Sequence, residues 1–598
     1  MCAMDGQTRR DVLKAAGVAG AAALLSGETA RAEAAAEIVS HRSTTGVIVP
    51  PRGASFMKFS FDTPEPSVRF AGFDLGFTIF SRENAYHLDE HKLRIEAIDG
   101  GIRLICDGLR WAGGQEPAPG RLVATIRRTE SGAGSGAGSG IEWDAVAELP
   151  QPIKAVTAIV RGLPRGKVGA GGAAPAEVHD DELLFGYPFG AGDLFGGNTA
   201  QGMSTPFLAI EDAGRVHFVS SLDDRVRAKR FYLQPGEHGY RLEAVHEVEG
   251  WLPQNQVTVP GWRIGEAGSL AAALGLHVQH LEQAYRIPRW ETRGDVPGWL
   301  RKTALVVSLH GMHFTGYVFN TFPRMLEILR WIASQIPPDR VLVFLPAWDG
   351  RYYWDYPEYR AAARLGGEAE LRRLVHDGQR MGYRFMPMFG ANTANRRLPS
   401  FASFADAATS KIDDDRMDLD WVDWDGDRHQ DGWAAYLNLG VASWRRWLTD
   451  RIAAAIDGYG IDGYFLDIVG GWVNNTRADM HEGVRALITE LRARYPHVLA
   501  CGEFQYDALL ELIPLYHVYA AHAVPFARFF SHLSHPAPGR GSSGVHESGF
   551  SRFDPQTLSL PRRDGLLPTL TIVDDTFAAH RAEMTAVIRE ARRRAGLG

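Results

Sequence analysis

Cysteine is scarce: there are three in 598 residues, and Cys2 lies in an amino-terminal segment with the marks of a targeting signal. Only Cys106 and Cys501 remain, so at most one disulfide can form and no disulfide scaffold holds the fold. Basic charge is not in excess either. Lysine plus arginine total 64 against 71 for aspartate plus glutamate, a net charge of −7, which argues against the basic face of a nucleic-acid-binding protein. No apolar run reaches the roughly twenty residues of a membrane span, and no glycine-rich phosphate loop follows the first strand of the carboxyl-terminal half. What is present is ordinary globular composition, 45% hydrophobic and 23% charged, over a length that calls for more than one domain. Largely disordered and fibrous chains are excluded.

The amino terminus carries Thr8-Arg9-Arg10-Asp11-Val12-Leu13-Lys14, a weakly hydrophobic stretch to Leu25, and the small-residue pattern Ala30-Arg31-Ala32. Residues 1–36 therefore resemble a twin-arginine export signal, cleaved to start the mature chain near Glu33. That route carries folded proteins. Its machinery becomes an expected partner, and the periplasm or the exterior the expected location, with no membrane span after cleavage.

From residue 37 to 265 short β-rich runs such as Ser67 to Phe80, Lys92 to Cys106 and Val216 to Ser221 are broken by glycine and proline, the spacing of an antiparallel β-sandwich. Two low-complexity stretches, Ser131 to Gly140 and Gly169 to Pro175, read as long loops within it. Residues 266–299 form a helical linker, with helical periodicity from Ser269 to Tyr285. Beyond residue 300 apolar runs alternate with amphipathic helices, the signature of parallel βα units, and residues 300–598 suit a (β/α)8 TIM barrel. Seven strands are expected: Thr303 to Leu309, Arg340 to Leu345, Tyr383 to Phe389, Gly463 to Leu466, Val498 to Ala500, Tyr516 to Ala520 and Leu570 to Val573. An eighth is expected in the irregular stretch after His522.

In a barrel, polar groups at the carboxyl ends of strands face the active site. Asp467 and Glu503 are each a lone carboxylate directly after an apolar strand, and the two strands are consecutive. Cleaving a glycosidic bond needs two such groups, one as nucleophile or base and one as proton donor. Trp348, Asp349, Tyr353 and Asp355 follow the second strand and would bind sugar faces and hydroxyls. Asn392 and Asn395 follow the third, where they either bind hydroxyls or initiate turns. His517 and His522 lie near the sixth strand, as pocket-lining or structural residues. Asp462 precedes its strand and is expected at the opposite face, in a structural role.

The phrase Gly460-Ile461-Asp462-Gly463-Tyr464-Phe465-Leu466-Asp467 resembles the nucleophile strand of retaining α-glycosidases of the α-amylase and endo-α-N-acetylgalactosaminidase type. That resemblance implies Asp467 as nucleophile and Glu503, ending the next strand, as acid/base. The segments Trp348 to Tyr359, Leu365 to Glu368 and Arg384 to Asn395 resemble a bacterial family of glycoside-hydrolase-like barrels with an amino-terminal sandwich. Phe465 stands where α-amylases carry an arginine, and their later His-Asp pair is not evident. Together these imply an exported glycoside hydrolase acting on an α-linked carbohydrate by double displacement, without redox or nucleotide cofactor.

Two other classes find weaker support in the sequence. Ser531-His532-Leu533-Ser534-His535-Pro536 has paired histidines like a zinc-dependent polysaccharide deacetylase, but one residue too close and without a third ligand. A non-catalytic carbohydrate-binding protein would be expected to lose Asp467 or Glu503. The aspartate-dense insert from Asp413 to Asp431 reads as a solvated acidic loop, with calcium as the alternative, since the spacing misses the closing glutamate of a calcium loop.

Overall fold

The computed structural model describes residues 36–597 apart from several stretches, among them 50–56, 131–136, 189–200, 411–415, 420–424, 518–525 and 534–565. The export signal, His522 and His535 lie outside the described residues.

The amino-terminal half is a large antiparallel sheet region whose spine is the 27-residue strand Ala137–Leu163. Along it Ile141, Trp143, Ala145, Ala147 and Leu149 are buried while the residues between them are half-buried, the period of two that puts one strand face on a core. Trp143 pairs across the ladder with Trp262 of the Gln254–Ala267 strand, the indoles parallel at 5.8 Å, and Phe77 packs edge-on to Trp143 at 5.5 Å. Such aromatic cross-strand pairs contribute about 0.5–1.5 kcal/mol beyond their buried area.

The stretch Ser131 to Gly140 is not wholly a loop: Ala137 to Gly140 extend the spine. Gly140 sits opposite both Thr129 and Gly265, and a Cβ there would lie 2.2 Å from the Ile264 carbonyl oxygen. Glycine composition at this point serves close strand approach. Likewise Gly169 lies in the strand Lys167–Ala170, paired with Ala209.

After the helix α1 (Leu270–Ala284), capped by Ser269 Oγ accepting from the Ala272 amide, the chain enters a curled parallel sheet. Its strands are β1 (Leu305–Leu309), β2 (Val341–Leu345), β3 (Arg384–Gly390), β4 (Gly463–Asp467), β5 (Leu499–Glu503), β6 (Leu515–His517), β7 (Ser531–Leu533), β8 (Leu566–Leu567) and β9 (Thr569–Ile572). The order across the sheet is β8-β7-β6-β5-β4-β3-β2-β1-β9, so its two outer strands are neighbours in sequence, parted by Pro568 alone. The expected helices appear as α2 (Phe322–Ala333), α3 (Gly367–Met381), α4 (Ala442–Tyr459) and α5 (Met480–Arg494). In α4 Trp444, Leu448, Ile452 and Ile456 are buried at helical spacing.

Two boundaries differ in a way that matters. β5 was expected to stop at Ala500, yet it runs through Cys501 and Gly502 to Glu503, because those residues pair with Phe465 and Leu466 of β4. Ladder pairing overrides the weak strand preference of glycine here. β4 likewise ends on Asp467 itself. Asp462 lies at the other end, where its carboxylate takes Arg384 at 2.8 Å and the Phe385 amide at 3.0 Å, as a structural residue should.

Candidate active site at the carboxyl ends of the parallel strands

Leu466 pairs with Gly502, so Asp467 and Glu503 follow one another's register at the ends of β4 and β5. Both are buried. Residues two apart on a strand share a face, which puts Phe465 below Asp467. Its ring packs 4.7 Å from Phe344 and 6.4 Å from His517, an apolar floor beneath the acids. Burial pushes the Glu503 carboxyl above its ordinary pKa; its hydrogen-bond contacts with the Asp467 carboxyl and the Ile468 amide act the other way and are the smaller effects. The Ile468 amide donates to Glu503 Oε2 at 3.1 Å, and His517 Nδ1 lies 3.6 Å from Oε1.

Each acid is followed by a residue in the left-handed region: Ile468 at φ +57° and Phe504 at φ +56°. For a β-branched side chain such as Ile468 this is a true outlier, sustained only where surrounding contacts over-determine it. Ala347, Tyr353 and Tyr359, all in the segment after β2, also have positive φ, at 51°, 63° and 45°. Among the described residues, five of the eight positive-φ residues other than glycine therefore cluster after β2, β4 and β5. Strain gathered at strand ends is a mark of functional sites.

The segment after β2 carries four of the expected residues. Trp348 is enclosed, its Nε1 donating to the Met388 carbonyl at 2.9 Å and its ring edge-on to Phe389 and Tyr459. The indole supports the loop and offers no open face, a correction to the reading of it as a sugar platform. Tyr353 is buried against the Tyr356 ring at 5.3 Å. Asp355 accepts from the Arg351 amide at 2.6 Å, a turn role, while the Arg351 cation lies 4.6 Å over Trp354. Asp349 is buried, and among the described residues neither carboxyl oxygen has a partner beyond its own backbone amide. Burial, with Asp355 nearby as a lesser cause, pushes it well above the usual carboxylate range.

The two asparagines divide. Asn392 donates to the carbonyls of Ile468 at 2.8 Å and Gly471 at 3.1 Å, tying the end of β3 to the segment after Asp467. Asn395 accepts from the Arg397 amide at 2.9 Å and donates to the Trp354 carbonyl at 2.8 Å, which is turn chemistry. In the acidic insert Asp418 is held by Arg396 and Arg416 at 2.5 and 2.6 Å. Among the described residues no three carboxylate, histidine or cysteine side chains are grouped to hold a metal ion.

Three residues at the site went unread in the sequence. Tyr359 donates to the Gly390 carbonyl at 3.1 Å and accepts from its amide at 2.7 Å, and burial, with Asp349 and Asp467 as lesser causes, pushes its phenol well above the usual range. Tyr436 donates to the Gly471 carbonyl at 2.8 Å. His310, directly after β1, is fully buried and pushed down to about 3, chiefly by burial. The rule that found Asp467, a polar residue immediately after an apolar strand, also applies to His310.

A cleft of about 480 Å³ opens elsewhere, between the antiparallel region and α5, lined by Arg225, Tyr285, Arg286, His481, Arg485 and Glu511 among others; neither Asp467 nor Glu503 borders it.

No protein-family model matches the chain, and no curated protein matches it. Solved structures do. The GalNAc complex of the α-N-acetylgalactosaminidase NagBb from Bifidobacterium bifidum superposes with a TM-score of 0.63 at 14% identity, over 89% of each chain. The galactosidase domain of the α-galactosidase–sucrose kinase AgaSK gives 0.50 at 12% identity, over 88% of this chain and 71% of that one. The chain thus shares its fold, an antiparallel sheet region followed by a curled parallel sheet, with these glycosidases.

Proposed function

We propose that this protein is an exported glycoside hydrolase that cleaves an α-linked glycoside with retention, with Asp467 as nucleophile and Glu503 as acid/base. The carrying observation is the pair itself: two buried carboxyl groups in contact at the ends of adjacent parallel strands, one with its proton affinity raised by burial. The fold shared with an α-N-acetylgalactosaminidase supports the α-linked substrate class. Closure of the sheet as a (β/α)8 barrel is part of this reading, supported by the sequence adjacency of its outer strands.

In the first step Glu503, protonated, gives its proton to the glycosidic oxygen while an Asp467 oxygen bonds to the anomeric carbon and the aglycone leaves. In the second, Glu503 takes a proton from water as the water oxygen displaces Asp467. The sequence is complete with two carboxyl groups and water. Retaining pairs stand about 5–5.5 Å apart, the separation this reading requires of Asp467 and Glu503 once a sugar is bound. Asp349, with its unshared oxygens, is the candidate partner for a sugar hydroxyl.

Aryl α-glycosides test this reading. NMR should show the α-anomer as first product, Asp467→Asn should abolish turnover, and azide should partly restore Glu503→Gln. An inverted product or an active Asp467→Asn overturns it. Export is proposed on Arg9-Arg10; replacing both with lysine should retain the precursor in the cell, and undiminished secretion would refute that. The Asp413 to Asp431 insert is proposed as a solvated acidic loop in preference to a calcium site; a chelator should then leave the melting temperature little changed, and a drop of many degrees would reverse that ranking.

A further inference from the structure

Four residues after Glu503, Asp507 opens the short 3-10 turn Asp507–Glu511 and directs its side chain into the antiparallel region. Tyr187 donates its hydroxyl to Oδ1 at 2.5 Å, Thr205 donates to Oδ2 at 2.8 Å, and the Asp507 amide donates to the Ser204 carbonyl at 2.8 Å. Apart from the Ala508 amide, its hydrogen-bond partners among the described residues all belong to the amino-terminal half, about three hundred positions earlier in the chain. These partners are themselves fixed. Thr205 Oγ1 lies 2.6 Å from His277 Nε2 of α1, and since its one proton goes to Asp507, Nε2 must carry the hydrogen in that contact. Lys229 sits 5.4 Å over the Tyr187 ring and pairs with Asp223 at 2.9 Å. Tyr506 packs edge-on to Tyr187 at 6.4 Å and meets His481 Nδ1 at 2.9 Å.

The short link from Glu503 to Asp507 is therefore held at both ends. At its start the Phe504 amide donates to the His517 carbonyl at 3.1 Å, with Phe504 at positive φ. There Gly470 leaves room for the backbone, because a Cβ on it would lie 2.5 Å from the Phe504 carbonyl oxygen. At its end stands a fully buried carboxylate whose hydrogen bonds reach across to the other half of the molecule.

We propose that Asp507 is a positioning residue, the anchor through which the antiparallel region fixes the strand end that carries Glu503. The inference rests on Glu503 being the acid/base. It makes the amino-terminal half part of the catalytic unit. Tyr187, Thr205, Tyr285, Tyr506 and Lys229 are the groups that face Asp507; Lys229 is the one cation among them, and burial outweighs it, so the Asp507 carboxyl is raised to about 6.

Asp507→Asn keeps the volume but cannot accept both hydroxyl protons, and Tyr187→Phe removes one hydrogen bond and serves if the first variant fails to fold. Two measurements decide. By hydrogen exchange of the intact protein, peptides covering 499–507 should exchange roughly tenfold faster in either folded variant, with α2 and α3 unchanged. In kinetics, turnover of substrates with poor leaving groups should fall by up to roughly a hundredfold while activated aryl glycosides lose only a few-fold. In a Glu503→Gln background, Asp507→Asn should then cost nothing further on activated substrates. Unchanged exchange at 499–507, equal losses across leaving groups, or an additive loss in the double variant overturns the proposal. Should no glycoside be turned over by the wild type, the function reading fails, and the exchange measurement still decides whether Asp507 anchors the strand end.

Discussion

Ile468 donates its amide to Glu503 Oε2 at 3.1 Å and turns the chain away from that contact at φ +57°. An isoleucine on the ordinary side of the map would send its carbonyl and the chain after it elsewhere. Its carbonyl is caught in turn by Asn392 Nδ2 at 2.8 Å and by the Gly471 amide at 2.8 Å. The strain is thus held by contacts from β3 and from the segment after β4, directly beside the amide that serves the proposed proton donor.

Asn392 should be costly to replace. Asn392→Ala leaves the buried carbonyls of Ile468 and Gly471 each short of a donor, at about 1–3 kcal/mol in all. Urea titration should show that loss, and turnover should fall more than the stability change accounts for.

Gly471→Ala places a Cβ 2.5 Å from Tyr436 Oη. Overpacking of this kind costs about 1–3 kcal/mol. Removing the hydroxyl as well, in Gly471→Ala/Tyr436→Phe, should recover part of it, so the two changes are non-additive in thermal melts.

Because burial raises the Glu503 carboxyl above its ordinary value of 4.5, the proton donor stays protonated beyond the usual carboxyl range. The rate should hold through that range and fall as pH rises past the raised value. Glu503→Gln should erase this basic limb from the kcat/KM profile, and its survival would assign the limb to another group.

Four buried histidines set an acid limit to stability. His246 is lowered to about 4, and His277, His310 and His481 to about 3, mainly by burial. Below their unfolded value near 6.5 the unfolded chain binds protons that the folded one refuses, so stability is present above 6.5 and is lost as pH falls toward 3. Asp507, raised to about 6, has the opposite sign, favouring the fold as pH falls from 6 toward 3.8. Melting temperatures between pH 7.5 and 5 should fall with acid, less steeply in His277→Gln.

The placement of Asp467 and Glu503 at the ends of adjacent parallel strands was legible because each closes an apolar run. The parallel alternation from residue 300 was legible for a related reason, since helical and strand periods differ. Trp348 was misread because composition reveals that an aromatic is present in a loop but not which way its ring turns; tertiary packing on Phe389 and Tyr459 decides that. The positive φ of Ile468 had no signal at all, as isoleucine ordinarily favours strands. The glycines near 140 look the same in sequence whether they loosen a loop or admit a neighbouring strand.

The segment 566–572 pairs with β7 through Leu566–Leu567 and with β1 through Thr569–Ile572, and Asn320 bonds the carbonyls of both His310 and Ile572 at 2.9 Å. During synthesis, then, β1 waits more than 250 residues for its outer neighbour. A ribosome-bound chain lacking its last segment would carry two open sheet edges, each a template for sticking to other chains. Any translocation of this protein in folded form must follow completion of the carboxyl terminus, however early its leading arginines emerge.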